Sequence, residues 1–380
     1  MTLQPCGVLA TGGIGVDNGT RYVGTSEKYM TPFQWQRRVL GMGLLAALAF
    51  RAQAGERLPL RVLAWPGYAD ADVIQAFEKQ TGRKADVTFV DSDAALWELV
   101  NRNGGRDFDV FAVNTAELQR YISGGLVLPI DPAAVPNTRS QTQAFSNPRI
   151  IKGLVHGGQV FAVPYTYAEM GLIYDPAQLP EPPSSINVLW DPKYQGKVLA
   201  YNGGTHNFSL AAQSLGWSQP FRLKAEQWAP AVERLVALRR NVGGFYTQPD
   251  ESVQLFKSRK AALMFANYGS QQVKLLKAQG VDVGYAVPRE GALAWLDCWA
   301  VTRGAREPAL AMAWINFMLE PLPGRVLLER QGLANTTSDS PFIRKGARMV
   351  WLEPVESEDR RNLLWSRIVS GDRVGKVLAP

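Results

Sequence analysis

Between Leu60 and Ser123 the chain alternates short apolar runs with amphipathic stretches, and this alternation constrains the fold more than any other feature. Leu60–Trp65 is an apolar run that ends at Pro66-Gly67. Such a run bounded by turn residues reads as a buried strand. Ala69–Gln80 follows with Val73, Ile74 and Phe77 at helical spacing and stops at Gly82, a residue suited to closing a helix. Asp86–Val90, Asp93–Asn101, Phe108–Val113 and Thr115–Ser123 then read as strand, helix, strand and helix. The order predicts a parallel sheet with helices on both faces, and in such sheets ligands bind beyond the carboxyl ends of the strands. Those ends carry Trp65–Tyr68, Asp91–Ser92 and Asn114–Thr115.

After a surface excursion over Asp131–Asn147, Gln159–Asp175 forms two extended runs around Pro164, Tyr165 and Tyr167. It reads as the crossing from one α/β domain to a second. Strands at Val198–Tyr201, Ala261–Ala266 and Val281–Val287 follow, with helices over Phe208–Leu215, Ala225–Arg240 and Ser252–Lys257 and a turn at Asn267–Ser270. Gly291–Val301 is then an apolar stretch with one acid, Asp297, between Trp295 and Trp299. Residues two apart share a face of a strand, so the three would line one side. A carboxylate among indoles suits an organic cation, through charge-assisted hydrogen bonds and attraction to the ring faces. A structural role, with Asp297 capping a neighbouring turn, fits the same pattern, because buried charges are usually paired.

The 380 residues, 46 % hydrophobic and 20 % charged, suffice for two domains. The net charge is +7, but residues 1–54 hold five basic and two acidic residues, leaving +4 for the remainder. Charges scattered in short clusters such as Arg239–Arg240, without a stacking motif, argue against nucleic-acid binding. Arg37–Arg38, the apolar run Val39–Phe50 and Ala52-Gln53-Ala54 before Gly55 read as a cleaved signal peptide, with Met30 as the expected start. The mature protein would then be periplasmic. It would hold one cysteine, Cys298, and therefore no internal disulfide. Two histidines, His156 and His206, without a cysteine cluster argue against a metal site.

No catalytic constellation is present: there is no G-x-S-x-G, Walker or H-E-x-x-H motif. Aromatic and polar residues instead accumulate at expected strand ends, namely Trp65, Tyr68, Asn114, Tyr167, His206, Trp295 and Asp297. That is the composition of a binding cleft, and the chain is not expected to be an enzyme or to need a cofactor.

Several segments together carry a family resemblance: LRVLAWPGYAD at 60–70, FEKQTGRKADVTFVDS at 77–92, FDVFAVNTAELQRYISGGLVLPID at 108–131, and further on VPYTYAEMGLIYD, LWDPKYQGKV, VPREGALAWLDCWAV, AWINFMLEP and LLWSRIVSGD. Over 58–375 the chain resembles the periplasmic spermidine/putrescine-binding proteins of ABC transporters, within the type 2 periplasmic-binding fold. The resemblance implies an α/β protein of two lobes with the ligand cleft between them: 55–170 with 295–341 as lobe 1, and 171–294 with 342–380 as lobe 2, after an N-terminal extension and signal peptide over 1–54. It implies hinges near Met170, Ala294 and Pro341. It also implies a monomer that delivers a small amine-containing ligand to an inner-membrane ABC permease, or alternatively a sensor that signals without transport.

The family's strand-one aromatic and following Tyr are matched by Trp65 and Tyr68, and its aromatic-x-Asp clamp by Trp295 and Asp297. Acids of diamine and polyamine binders fall here at Gly67, His206 and Ser270, an expected Trp at Asn267, a small polar residue at Asn114 and a late aromatic at Leu333. The resemblance therefore implies a cleft whose one remaining acid is Asp297. Its ligand would have one cationic end beside Asp297, Trp295, Trp65 and Tyr68, and a neutral or anionic end facing His206, Asn202, Ser270 and Asn267.

Overall fold

The computed structural model describes residues 58–379 except 342–345. The signal segment, the expected start at Met30 and the cleavage point before Gly55 lie outside the described residues. The chain begins with β1 (Leu60–Ala64), α1 (Ala71–Thr81), β2 (Ala85–Phe89), α2 (Asp93–Asn101), β3 (Val110–Asn114) and α3 (Thr115–Ser123). β1 runs parallel to β2 on one edge and to β3 on the other, as the alternation requires. The helix ends follow local chemistry. Gly82 closes α1 with a left-handed φ of 65°; Ser92 caps α2 through its hydroxyl; and the Asn114 side-chain carbonyl accepts from the amides of Ala116 and Glu117 to start α3.

A short hairpin, β4 (Val155–His156) with β5 (Gln159–Val160), precedes β6 (Ala162–Met170), every residue of which is buried. At Gly171 the chain leaves the first sheet. β7 (Leu172–Tyr174), β8 (Val198–Tyr201), α4 (Gly204–Ser214), α5 (Trp228–Asn241), β9 (Val242–Tyr246), α6 (Pro249–Ser258), β10 (Leu263–Phe265), α7 (Ser270–Ala278) and β11 (Gly284–Ala286) build a second sheet in the order β11-β7-β10-β8-β9. The sequence pattern extends the last strand over Val281–Val287. The observed strand is three residues long because only Gly284–Ala286 pair with β7.

β12 (Ala292–Val301) returns to the first sheet, followed by α8 (Pro308–Met318), α9 (Pro321–Val326), a π-helical turn over Leu327–Gln331, β13 (Ala334–Asn335) and β14 (Met349–Trp351). The first sheet has the order β13-β6-β12-β3-β1-β2, with β14 paired to the start of β12. α10 (Glu358–Val369) and α11 (Val374–Val377) close the chain against the second lobe, where Leu364, Trp365, Ile368 and Val377 join its core. The fold is thus a two-lobed α/β structure with a sheet in each lobe. In the first lobe Phe77, Trp299 and Trp314 are fully buried, and in the second Phe208 and Leu235. Each such side chain contributes roughly 1.5–3 kcal/mol through burial.

Candidate functional site

β12 and β6 pair antiparallel, and between Asp297 and Cys298 their register shifts, leaving Tyr165 of β6 without a direct partner. This bulge turns Tyr165 toward Tyr68 and Trp299, with ring centroids 5.6 and 5.4 Å away, and its hydroxyl donates to the Tyr68 carbonyl at 3.1 Å. Tyr68 is thereby fixed from below. Its own hydroxyl donates to Asp297 Oδ2 at 2.5 Å. The Asp297 side chain does not cap a turn. It is 7 % exposed, and the Tyr68 hydroxyl is its only hydrogen-bond partner among the described residues. Trp299 shares its side of the sheet but lies wholly in the core, whereas Cys298 faces the opposite cluster with Leu296 and Ala300.

A cavity of about 440 Å³ opens above this floor, lined from both lobes. Seven of the nine residues expected at the site border it: Trp65, Tyr68, Asn114, His206, Asn267, Trp295 and Asp297. Trp295 Nε1 donates to the Asn267 carbonyl at 3.2 Å, and His206 Nδ1 lies 2.7 Å from Asn267 Oδ1. The first contact joins β12 of the first lobe to the second lobe, and the other ties His206 to Asn267 within the second lobe. α4 carries His206 and is held by Arg361 of α10, which is fully buried. The Arg361 guanidinium donates to Glu356 at 2.8 and 2.9 Å, to the Thr205 carbonyl at 2.9 Å and to Ser209 Oγ at 2.8 Å. A Cβ on Gly204 would stand 2.6 Å from the Arg361 carbonyl, so only glycine permits this approach of the two helices.

Two expected residues are placed elsewhere. Tyr167 pairs with Leu296 and packs beside Phe145 and Trp351 on the opposite face of the sheet. Tyr165 and Tyr167 have the same parity in sequence, and the bulge puts them on opposite faces, since a one-residue shift inverts a strand's alternation. Ser270, 5 % exposed, spends its hydroxyl on the Gly332 carbonyl at 2.6 Å and does not border the cavity. Asn202 likewise accepts from Trp365 Nε1 at 3.0 Å. Leu333 borders the cavity where an aromatic was expected.

The expectation of a single acid is corrected. Asp91, Asp93, Asp250 and Asp297 all border the cavity, and among the described residues no Lys or Arg does. Asp91 and Asp93 follow the carboxyl end of β2, so the strand-end rule pointed to this segment. Tyr201, Tyr268, Gln248 and Gln331 also line the space. The side chain of Gln331 occupies the place a side chain at position 67 would take: a Cβ on Gly67, whose φ is 85°, would lie 2.4–2.8 Å from the Gln331 carboxamide.

Burial pushes the Asp297 carboxyl up to about 7; the Tyr68 hydrogen bond draws it down and the charge of Asp93 adds to the rise. Burial likewise pushes Asp93 up to about 6, against the pull of Arg120. His206 is lowered by burial, partly countered by Asn267, so its imidazole is neutral near pH 7. Among the described residues no group of three or more potential ligands could hold a metal ion.

The family of bacterial extracellular solute-binding proteins matches residues 72–341. This chain belongs to that family. Its members bind solutes outside the cytoplasm as the substrate-binding component of ABC transporters and are not enzymes. The spermidine/putrescine-binding periplasmic protein of Escherichia coli K12 is 24 % identical over 306 residues, 79 % of this chain and 83 % of that protein. A Streptococcus pneumoniae spermidine/putrescine ABC transporter substrate-binding protein superposes with a TM-score of 0.67 at 20 % identity, covering 84 % of this chain and 99 % of the other. An Agrobacterium tumefaciens periplasmic binding protein in complex with glucopine superposes with a TM-score of 0.65 at 15 % identity over 82 % and 100 % of the two chains. Both structures share the two-lobed fold.

Proposed function

We propose that this substrate-binding protein works in the periplasm and captures a small amine-containing solute. The observation that carries this reading is the cavity's lining: four carboxylates, no Lys or Arg among the described residues, and the rings of Trp65, Trp295, Tyr68, Tyr201 and Tyr268. A buried carboxylate needs a positive partner, and aromatic faces attract cations without hydrating them. An ammonium beside Asp297 meets both needs, with Trp65, Tyr68 and Trp295 around it and His206, Asn114 and Asn267 completing the walls. Relatives named for spermidine and putrescine support the same chemistry.

The lobes divide at Gly171, near Ala294 and near Pro341, and open and close by rotation at these crossings. The protein acts as a monomer and hands its ligand to an inner-membrane permease. The test is a thermal-shift screen of the exported protein against monoamines, α,ω-diamines, ω-amino acids and neutral sugars. Amines raise the melting temperature and sugars do not; a response confined to neutral or anionic solutes would overturn the reading.

A further inference from the structure

We propose that Asp93 is a second cation-binding group in this cavity, so that the first lobe alone supplies an anionic contact for each of two positive centres on the ligand. The inference rests on the amine-binding reading above and goes beyond it by naming a residue and a charge pattern.

Asp93 and Asp297 both border the cavity, and both belong to the first lobe, one at the start of α2 and the other on β12. Asp93 is not needed to start its helix, because Ser92 is the cap and accepts from the Ala95 amide at 3.3 Å. Among the described residues its carboxylate has one hydrogen bond, from Asn114 Nδ2 at 3.2 Å to Oδ1, and no ion pair. Arg120 draws the Asp93 carboxyl down through its charge but forms no ion pair with it. Arg120 donates to the Asp93 backbone carbonyl at 3.0 Å and directs its charge to Glu117 at 2.7 Å and Glu358 at 3.6 Å. One guanidinium therefore faces three carboxyl groups. Even with Glu117 protonated, one negative charge is left over at this end of the cavity.

The other end points to a ligand independently. Asp297 is more than nine-tenths buried, lines the cavity, and its Oδ1 has no hydrogen-bond partner among the described residues. The charge of Asp93 opposes ionisation of Asp297 across the shared space. A single cation beside Asp297 leaves Asp93 uncompensated, whereas a second positive group answers both. From the second lobe, Tyr201 and Tyr268 line this region, their rings edge to face at 6.1 Å, and present ring surface to the second cation. Because both acids sit on one lobe, both charge contacts are complete before the second lobe closes with largely neutral groups.

The experiment is titration calorimetry of the wild type, Asp93→Asn and Asp297→Asn against α,ω-diamines of three to six carbons and alkyl monoamines of matching length. Wild type is expected to bind its best diamine at least tenfold more tightly than the matching monoamine. Asp93→Asn is expected to weaken the diamine about tenfold or more and leave the monoamine within twofold. Asp297→Asn is expected to weaken both. Diamine affinity within twofold of wild type in Asp93→Asn, with an unchanged melting temperature, would overturn the role of Asp93 while leaving amine binding intact. Absence of binding by every amine to wild type would overturn the underlying reading and this proposal together.

Discussion

Tyr68 and Asp297, 229 residues apart in the chain, are joined by a 2.5 Å hydrogen bond at the floor of the cavity. Burial and the adjacent carboxylate hold the Tyr68 phenol well above its usual range, so it stays protonated and donates. The bond stabilises the ionised form of Asp297. Tyr68→Phe removes that donor and, through loss of one charge-assisted bond, is expected to weaken amine binding by about tenfold. It should also move the pH midpoint of binding upward. Calorimetric titrations from pH 6 to 9 on both proteins check the two effects together.

A cationic ligand binds the ionised form of Asp297, whose carboxyl burial pushes up to about 7. The bound cation favours the carboxylate, so below that midpoint binding releases a proton. Affinity is expected to rise with pH through about 7 and to level off above it, with about tenfold weaker binding at pH 6 than at pH 8. Asp297→Asn should lose this dependence along with most of the affinity. Affinities measured in buffers of matched ionic strength across this range give the profile.

Glu169 lies on β6 beside the first crossing, is 1 % exposed, and neither carboxyl oxygen has a hydrogen-bond partner among the described residues. Burial pushes it up to about 7 from a usual value of 4.5. The folded protein therefore holds this proton more tightly than the unfolded chain does. Stability should fall as pH rises from 4.5 to 7 and then flatten, a loss of about 3 kcal/mol from this group. Asp297 and Asp93 add to the fall over the same range, so thermal melts should show a shallower slope in Glu169→Gln than in wild type, smaller by the share of this one group.

Arg120 joins the lobes by pairing with Glu117 of α3 at 2.7 Å and reaching Glu358 of α10 at 3.6 Å, while its guanidinium carbon lies 4.6 Å from the Trp97 ring centroid. Burial, with Glu358 and Asp93 adding to it, pushes Glu117 up to about 10, so this carboxyl keeps its proton at pH 8. Arg120 then faces the charges of Glu358 and Asp93 alone, one cation against two carboxylates. Arg120→Ala removes the one cation of the group, and the expected loss is about 3 kcal/mol of stability. Glu117→Gln replaces one neutral group by another of the same shape and should cost less than about 1 kcal/mol. Urea denaturation of the two variants at pH 8 checks the contrast.

The first lobe was legible in the sequence because its elements are set locally. α2 and α3 fall where the spacing and their caps, Ser92 and Asn114, put them. The crossing strands were legible as extended, mostly apolar runs, the second broken only by Asp297. What escaped the pattern depends on contacts distant in sequence. The bulge that sends Tyr165 and Tyr167 to opposite faces is fixed by pairing of β6 with β12. Asp93 looked like an ordinary first-turn acid, and only the fold brings it to the cavity that holds Asp297. Ser270 could not be told from a ligand contact until its partner, the Gly332 carbonyl, was in place.

The most direct test of the account is titration calorimetry at pH 8 of Asp297→Asn beside wild type, using the amine that binds wild type most tightly. An ionised Asp297 holding a cation predicts that the variant binds about a hundredfold more weakly or worse, with a melting temperature in the absence of ligand no lower than that of wild type. Affinity within twofold of wild type would contradict it.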